Sequence, residues 1–560
     1  MSTVTKQKKT RTKRKSHAGL IIFLVVVILA AAAAALWYFR PRPLVTAEAY
    51  IAAPRETAEI RDENGSVIAA RTRGQSVTYV VEDEDPDYPG MVRLDWGEDG
   101  FAWIAKENLT DDLSKVVTVD TVYVRTPVNL TDQSGAEVGA LAEKGQALEV
   151  IGYDGLGQDG SVARYAVRLG EEEGYVRAGY LTYGQDEALS QYDEEHYALH
   201  VSRGDRWGGG NAAELDYFPR EKGPIEGNPM PEEVKALYLN SGFVPDVDRY
   251  LELAAGTGIN AFVVDIQDGG AVSYGADAMQ KYCPSAYESA ANTMEECRAA
   301  VQKIRDAGYY TIGRMTTFND PYFAIDHPEA VIADSSGAPL KISGMYWPSA
   351  YNRYTWQYKV DLAVEAVEQM GFNEIQFDYV RFPDGTWRYE DSGGIDYRNQ
   401  YGENKAQAVQ RFLMYACDRI HDAGAYVSAD VFGECAEDYV CAYGQYWPAI
   451  SNVVDAISAM PYPDHYAANG SWLPWEHPYD VLSMFGKKAA ARQEETASPA
   501  AVRTWIQAYS AIREPYPHYG PNEISAQIRA LRDTGHTGGY MTWNAASSIE
   551  KYRELRPALQ

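Results

Sequence analysis

Across residues 231–560 the hydrophobic positions fall into two alternating rhythms. Short apolar runs at 236–240, 261–267, 310–315, 374–380, 426–431, 456–460, 504–508 and 539–543 read as strands. Between them, at 247–255, 295–307, 358–370, 405–423, 479–491 and 523–533, apolar residues recur every three or four positions, as on a helix with one buried face. Ala307-Gly308, Ala423-Gly424 and Thr534-Gly535 close three of these helices, because glycine readily takes the left-handed conformation that stops a helix. Eight strands with intervening helices predict a parallel (β/α)8 barrel of TIM type over 231–560. A doubly wound open sheet is the alternative, and it lacks a GxGxxG turn after its first strand.

Upstream the pattern changes. Short alternating strands separated by Gly and Asp turns fill 50–112 and again 117–184, predicting two small antiparallel β-barrels. The segments resemble each other: Arg73-Gly74 and Gly100-Phe101-Ala102 in the first answer Lys144-Gly145 and Gly174-Tyr175-Val176 in the second. Residues 185–230 are polar and rich in Gly and Pro, which predicts an irregular linker or a strap over the barrel. Ahead of all this, 18–39 is an uncharged apolar run, long enough to span a bilayer, which takes about 20 residues. Seven Lys and Arg between Lys6 and Lys15 keep the 1–17 tail cytoplasmic, so a signal anchor is expected, with the bulk of the chain extracellular. A cleaved signal peptide, with Ala47-Glu48-Ala49 as its cleavage site, is the alternative; both readings export the rest.

Charge and cysteines narrow the function classes. The formal net charge is −28, and without the basic tail 44 Lys and Arg face 79 Asp and Glu. Such a body repels nucleic acid, so no nucleic-acid partner is expected. Five cysteines are too few for a disulfide scaffold, although Cys283 with Cys297, or Cys435 with Cys441, are possible pairs outside the cell. Neither HExxH nor CxxC nor an EF-hand loop occurs, and no metal or cofactor is expected.

In a (β/α)8 barrel the active site lies at the C-terminal strand ends. Alternation along 374–380 turns Ile375 and Phe377 outward and Gln376 and Asp378 inward. The run 426–431 turns Ser428 and Asp430 inward in the same way, and Asp265 points inward with Asp268 following at the mouth. Barrel layers are normally Val, Ile or Leu, and burying charge is costly, so a carboxylate from each of three strands marks a functional cluster. The alternative is a set of purely structural ion pairs with Arg314 or Arg381.

The segment Gly371-Phe372-Asn373-Glu374-Ile375-Gln376-Phe377-Asp378-Tyr379-Val380-Arg381-Phe382-Pro383 resembles the signature of a bacterial "putative glycoside hydrolase" barrel family. Asn260–Asp268, Val427–Gly433, Met460-Pro461-Tyr462-Pro463 and Gly538–Asn544 carry the resemblance along the chain. It implies a TIM barrel acting on glycosidic bonds. This chain has Gln267 where that family carries Lys between its two Asp. Asp378-x-Val380-Arg381 is also similar to the strand-four motif of the α-amylase family, in which the Asp is the nucleophile and strand five supplies the acid; here strand five offers Asp430, with Glu434 beyond it, and 504–508 has no acid. The two β-segments resemble bacterial Src-homology-3-type domains, which implies either cell-wall peptidoglycan binding or a spacer.

Glycoside hydrolysis needs one carboxylate and one protonated carboxyl. Asp378 and Asp430 are therefore the expected catalytic pair, with Arg314 or Arg381 holding Asp378 ionised and an apolar setting keeping Asp430 protonated. Asp265, Asp268, Arg314, Gln376, Arg381, Tyr462, His465, Trp543 and Asn544 are the expected substrate-binding residues, and Trp347 a further stacking candidate. The expected activity is hydrolysis of a wall or extracellular polysaccharide. A non-catalytic glycan-binding or wall-scaffolding protein is the alternative, and a lyase or transferase a third.

Overall fold

The computed structural model describes residues 26–29, 44–52, 57–81, 88–96, 100–112, 116, 119–156, 162–190 and 208–560. Of the expected membrane span only Val26–Leu29 are described, and they are helical; the rest of 18–39, and 191–207 of the linker, lie outside the described residues. Among the described residues no helix is long and apolar enough to cross a membrane. The chain divides into two units, Met1–Thr118 with Tyr153–Ala163, and Val119–Gly152 with Arg164–Gln560.

Each N-terminal β-segment forms a seven-stranded sheet whose recorded pairings are antiparallel, and both sheets have the same strand order: third, second, sixth, fifth, fourth, first, seventh. The repeat seen in the sequence is thus a repeat of topology. In the first sheet Ile51, Ile60, Leu94 and Ile104 form the buried core.

The remainder is built on strands β1 (Val234–Leu239), β2 (Ala261–Asp268), β3 (Tyr310–Thr316), β4 (Glu374–Asp378), β5 (Tyr426–Phe432), β6 (Ala456–Met460), β7 (Thr504–Gln507) and β8 (Gly539–Trp543). All are parallel, in sequence order, with β8 returning beside β1. The seventh strand is broken at Arg503: Ala501–Val502 pair with β6, while Thr504–Gln507 pair with β8. The ring is nearly closed by these two half-strands.

Helices α1 (Val247–Ala254), α2 (Met294–Asp306), α3 (Arg353–Met370), α4 (Lys405–Asp422), α5 (Trp447–Ser451), α6 (Pro478–Glu494), α7 (Pro521–Asp533) and α8 (Ile549–Leu555) follow the strands in turn. Gly308, Gly424 and Gly535 have φ of 85°, 86° and 87°, the left-handed stop their sequence context demands. Helix α3 starts five residues before the expected 358, because the Asn352 side chain accepts from Thr355 N and caps the helix there.

The barrel interior is two-sided. Val234, Ala236, Ala261, Val263, Ile312 and Met541 make an apolar half, whereas Glu374, Gln376, Ser428 and Ser458 are buried on β4–β6. Within the second unit the β-sheet packs on α3 and α4: Tyr180 OH donates to Asp418 Oδ2 (2.9 Å), Tyr415 OH to the Ala136 carbonyl (2.7 Å), and Arg353 Nε to Asn129 Oδ1 (3.0 Å). Cys283, Cys297 and Cys435 are buried thiols outside any disulfide, so neither candidate pairing is present. Burial raises the Cys283, Cys297 and Cys435 thiols, which keeps them protonated and inert.

Candidate active site

Arg314, at the C-terminal end of β3 and only 1% exposed, organises the mouth of the barrel. Its Nη1 donates to Asp265 Oδ1 (2.6 Å) and its Nη2 to Asp378 Oδ2 (2.6 Å). The same Nη2 stands 3.5 Å from Asp268 Oδ1, and Nε stands 3.7 Å from Asp430 Oδ2.

Alternation accounts for most of this. Asp378 ends β4 and Asp430 lies two residues before the end of the neighbouring β5, with Phe377 opposite Ala429 one residue earlier. Strand β4 stops at Asp378 rather than running to 380, because Tyr379 turns to φ 51°, the left-handed region that non-glycine residues rarely enter. That turn brings the Tyr379 amide onto Asp378 Oδ1 (2.6 Å). Asp378 thus accepts from a guanidinium and a backbone N–H, the bonding of a carboxylate. Such local strain concentrates at functional sites.

Asp430 has the opposite environment. Trp505 Nε1 donates to its Oδ1 (2.7 Å), Oδ2 has no hydrogen-bond partner among the described residues, and its side chain is fully buried. Burial first, and the charge of Asp378 second, push its carboxyl well above the ordinary range, outweighing Arg314. Burial also pushes Asp265 up to about 7 despite the Arg314 contact, and its other oxygen accepts from Tyr238 OH. Burial opposes the charge on Arg314, but Asp265, Asp378 and Asp268 together outweigh it and raise its pKa. One guanidinium faces four carboxyl groups, so the cluster is overfilled with negative charge even when one of them keeps its proton. Asp430 is the group whose setting keeps it.

The other expected residues divide by depth. Asp268, with 39% of its side chain exposed, is the most accessible of the four carboxyls. Trp543 is half-buried, its ring 4.6 Å from Tyr238 and 5.1 Å from the Arg314 guanidinium. Tyr462 is buried with its hydroxyl unpartnered among the described residues, and burial, Tyr509, Asp430 and Asp378 raise its pKa. Asn544, the residue after Trp543, is buried, and its Nδ2 has no partner among the described residues. His465 is exposed and bonded to Asp464 (2.8 Å).

Two residues lie away from the mouth. Gln376 is fully buried one layer down, donating to Ser458 Oγ (3.3 Å). Arg381 makes no direct ion pair with Asp378 among the described residues, although that carboxyl's charge acts on it; it donates to the Phe382 carbonyl (3.0 Å), its guanidinium wedged against the rings of Phe432, Tyr379 and Trp347. Trp347 is itself 3% exposed, so it supports Arg381 instead of offering a stacking face. Beside the mouth, the loops after β4 and β5 enclose a cavity of about 470 Å³ lined by Trp387, Glu434 and Tyr443 among others.

Sequence reasoning missed Tyr238 and Trp505. Both occupy inward strand positions, and each is a large side chain with a polar tip, the one signal available for them. Among the described residues no group of His, Cys, Asp and Glu is arranged to hold a metal ion.

Comparison with known proteins adds a family. Solved structures similar to this chain include a hypothetical protein from Ruminiclostridium thermocellum (31% identity over 35% of this chain and 97% of that one, TM-score 0.30). The PgaB (BpsB) glycoside hydrolase domain from Bordetella bronchiseptica is similar over 59% of this chain and 99% of that one (13% identity, TM-score 0.42). The spore cortex-lytic enzyme SleL of Bacillus megaterium is similar over 59% and 75% (10% identity, TM-score 0.35). No curated protein matches the chain. The model of the family described as "Putative glycosyl hydrolase domain" matches residues 236–549, over half of the sequence and every barrel strand but the first two residues of β1, and the chain belongs to that family.

Proposed function

We propose that this protein is a glycoside hydrolase that cleaves a cell-wall or extracellular polysaccharide with two carboxyl groups of opposite protonation, Asp378 and Asp430. The observation that carries this reading is the overfilled cluster around Arg314 at the barrel mouth. Asp378, bonded as a carboxylate, attacks the anomeric carbon or activates water, and Arg314 and the Tyr379 amide fix its oxygens. Asp430 holds the proton that the departing sugar oxygen needs. The positive charge developing on the sugar ring is met by the excess negative charge of the cluster. Trp543 supplies a sugar-stacking edge, while Tyr462, Asn544 and His465 offer hydrogen bonds. The 18–39 segment tethers the enzyme to the cell membrane with its body outside, and the two β-sheets carry it towards the wall, where they bind peptidoglycan.

A second reading keeps Asp378 and gives the acid role to Asp268. Its exposure favours this, since Asp430 is sealed beneath Trp505 whereas Asp268 is open to an arriving glycan.

Leaving-group dependence tests both. An enzyme that has lost its acid still turns over 2,4-dinitrophenyl glycosides, whose leaving group needs no proton, but not polysaccharide. Asp430→Asn is expected to show that split; the same split in Asp268→Asn alone moves the acid role there. Undiminished polysaccharide hydrolysis in Asp378→Asn contradicts the proposal altogether.

A further inference from the structure

The route of β2 into the site breaks the alternation that governs the other strands. Asp265 pairs with Arg314, but the next pairing is Gln267 with Met315, so two residues on β2 oppose one on β3. This is a β-bulge, which re-aims the side chains beyond it. Asp265 and Asp268 are three apart and would face opposite sides of a regular strand. With the bulge both reach Arg314, at 2.6 and 3.5 Å.

Gln267 is the residue the bulge turns away from the mouth, and it is held there. Lys359, from the middle of α3, is fully buried; its Nζ donates to Gln267 Oε1 (3.0 Å) and to Asp320 Oδ2 (2.6 Å). Gln267 Nε2 donates to the same Asp320 oxygen (3.0 Å) and to the Gly269 carbonyl (3.2 Å). Asp320 is anchored in turn, because its Oδ1 accepts from the amides of Tyr322 and Phe323 at the start of a short helix. On the far side of Asp268, the Gly269 amide donates to Thr316 Oγ1 (2.9 Å). Asp268 is therefore gripped on both flanks while its own carboxyl is left to solvent and Arg314.

We infer that Lys359, with Asp320, is a positioning residue that clamps the β2 bulge through Gln267 and so aims Asp268 at Arg314. A fully buried Lys–Asp pair is a poor source of stability compared with an apolar replacement, so its place against the bulge fits a geometric task. The inference rests on the glycosidase reading only for its effect on rate; the clamp itself is a statement about structure.

The test uses the full chain with Lys359→Met/Asp320→Asn, which removes both charges together and so avoids stranding one of them. Its crystal structure is expected to show the β2–β3 register straightened and Asp268 withdrawn from Arg314. An unchanged bulge with Asp268 still at Arg314 overturns the inference. In parallel, reducing-end release from purified peptidoglycan and from chitin is followed in four proteins: wild type, the double variant, Asp268→Asn and the triple combination. The expected result is a kcat loss of about 10²-fold with KM held, as a misplacement of about 1 Å produces, and no further loss once Asp268 is Asn. An equal loss in both backgrounds means that the pair supports the fold and does not act through Asp268. If wild type releases no reducing ends from either polymer, peptidoglycan and chitin are excluded as its substrates, and the crystal structure still decides the clamp.

Discussion

Trp505 donates its indole N–H to Asp430 Oδ1 at 2.7 Å, so β7, which carries no acid, still reaches the centre of the site. The bond fixes the carboxyl and covers it at once. One oxygen is occupied by a neutral donor, and the other faces Arg314 Nε at 3.7 Å, too far for a hydrogen bond.

This arrangement sets a pH dependence. Asp430 is raised by burial and by Asp378, so its proton is present below that raised pKa and lost as pH climbs through it. Activity that uses this proton falls on the alkaline side. In Asp430→Asn that alkaline limb is expected to vanish from the kcat/KM profile, and in Trp505→Phe it is expected to move to higher pH, because the donor that favours the ionised form is gone. A profile identical to wild type in both variants would mean that Asp430 does not titrate in the reaction.

Asp265 makes a prediction about stability. Burial lifts its folded pKa to about 7, against an ordinary value near 3.9 when unfolded. A carboxyl raised on folding contributes stability that is whole below the unfolded pKa and is lost as pH rises through the folded one. Its contribution therefore fades between about pH 4 and pH 7. Asp265→Asn cannot ionise, so Tm measured across that interval should fall less steeply than in wild type.

The second β-sheet is predicted to be part of the barrel's folding unit. Arg353 bonds Asn129 of that sheet and, through Nη1, Glu403 (3.0 Å), which Arg411 also contacts; all four are buried. Arg353→Ala leaves Glu403 with one buried cation and should cost about 3–5 kcal/mol. By the same logic residues 230–560 alone should unfold at lower denaturant concentration than residues 119–560. Equal midpoints would show that the sheet is only tethered.

Much of the barrel could be read from the chain. Each barrel strand begins and ends within two residues of where apolar runs place it, and the helix stops at Gly308, Gly424 and Gly535 follow from glycine's freedom at positive φ. Alternation also put Asp378 and Asp430 on one end. What it did not reveal were departures from regularity and contacts made across long stretches of chain. The Ile266-Gln267 bulge is invisible to a period-two reading, and so is the break at Arg503 that splits β7 between two neighbours. Trp505 meets Asp430 across 75 residues, and Lys359 meets Gln267 across 92. Arg381 follows neither rule simply: the left-handed turn at Tyr379 sets its guanidinium among aromatic rings, where the charge of Asp378 still acts on it.

The central claim is that Asp378 is a reacting carboxylate at the mouth of a glycosidase barrel. It is tested most directly by kcat/KM of Asp378→Asn against wild type, on whichever wall or extracellular polysaccharide the wild type cleaves, with unchanged Tm as the control for folding. Asn keeps the shape and loses the nucleophilic charge, so a fall of at least about 10³-fold is predicted. Hydrolysis within a few fold of wild type would contradict it.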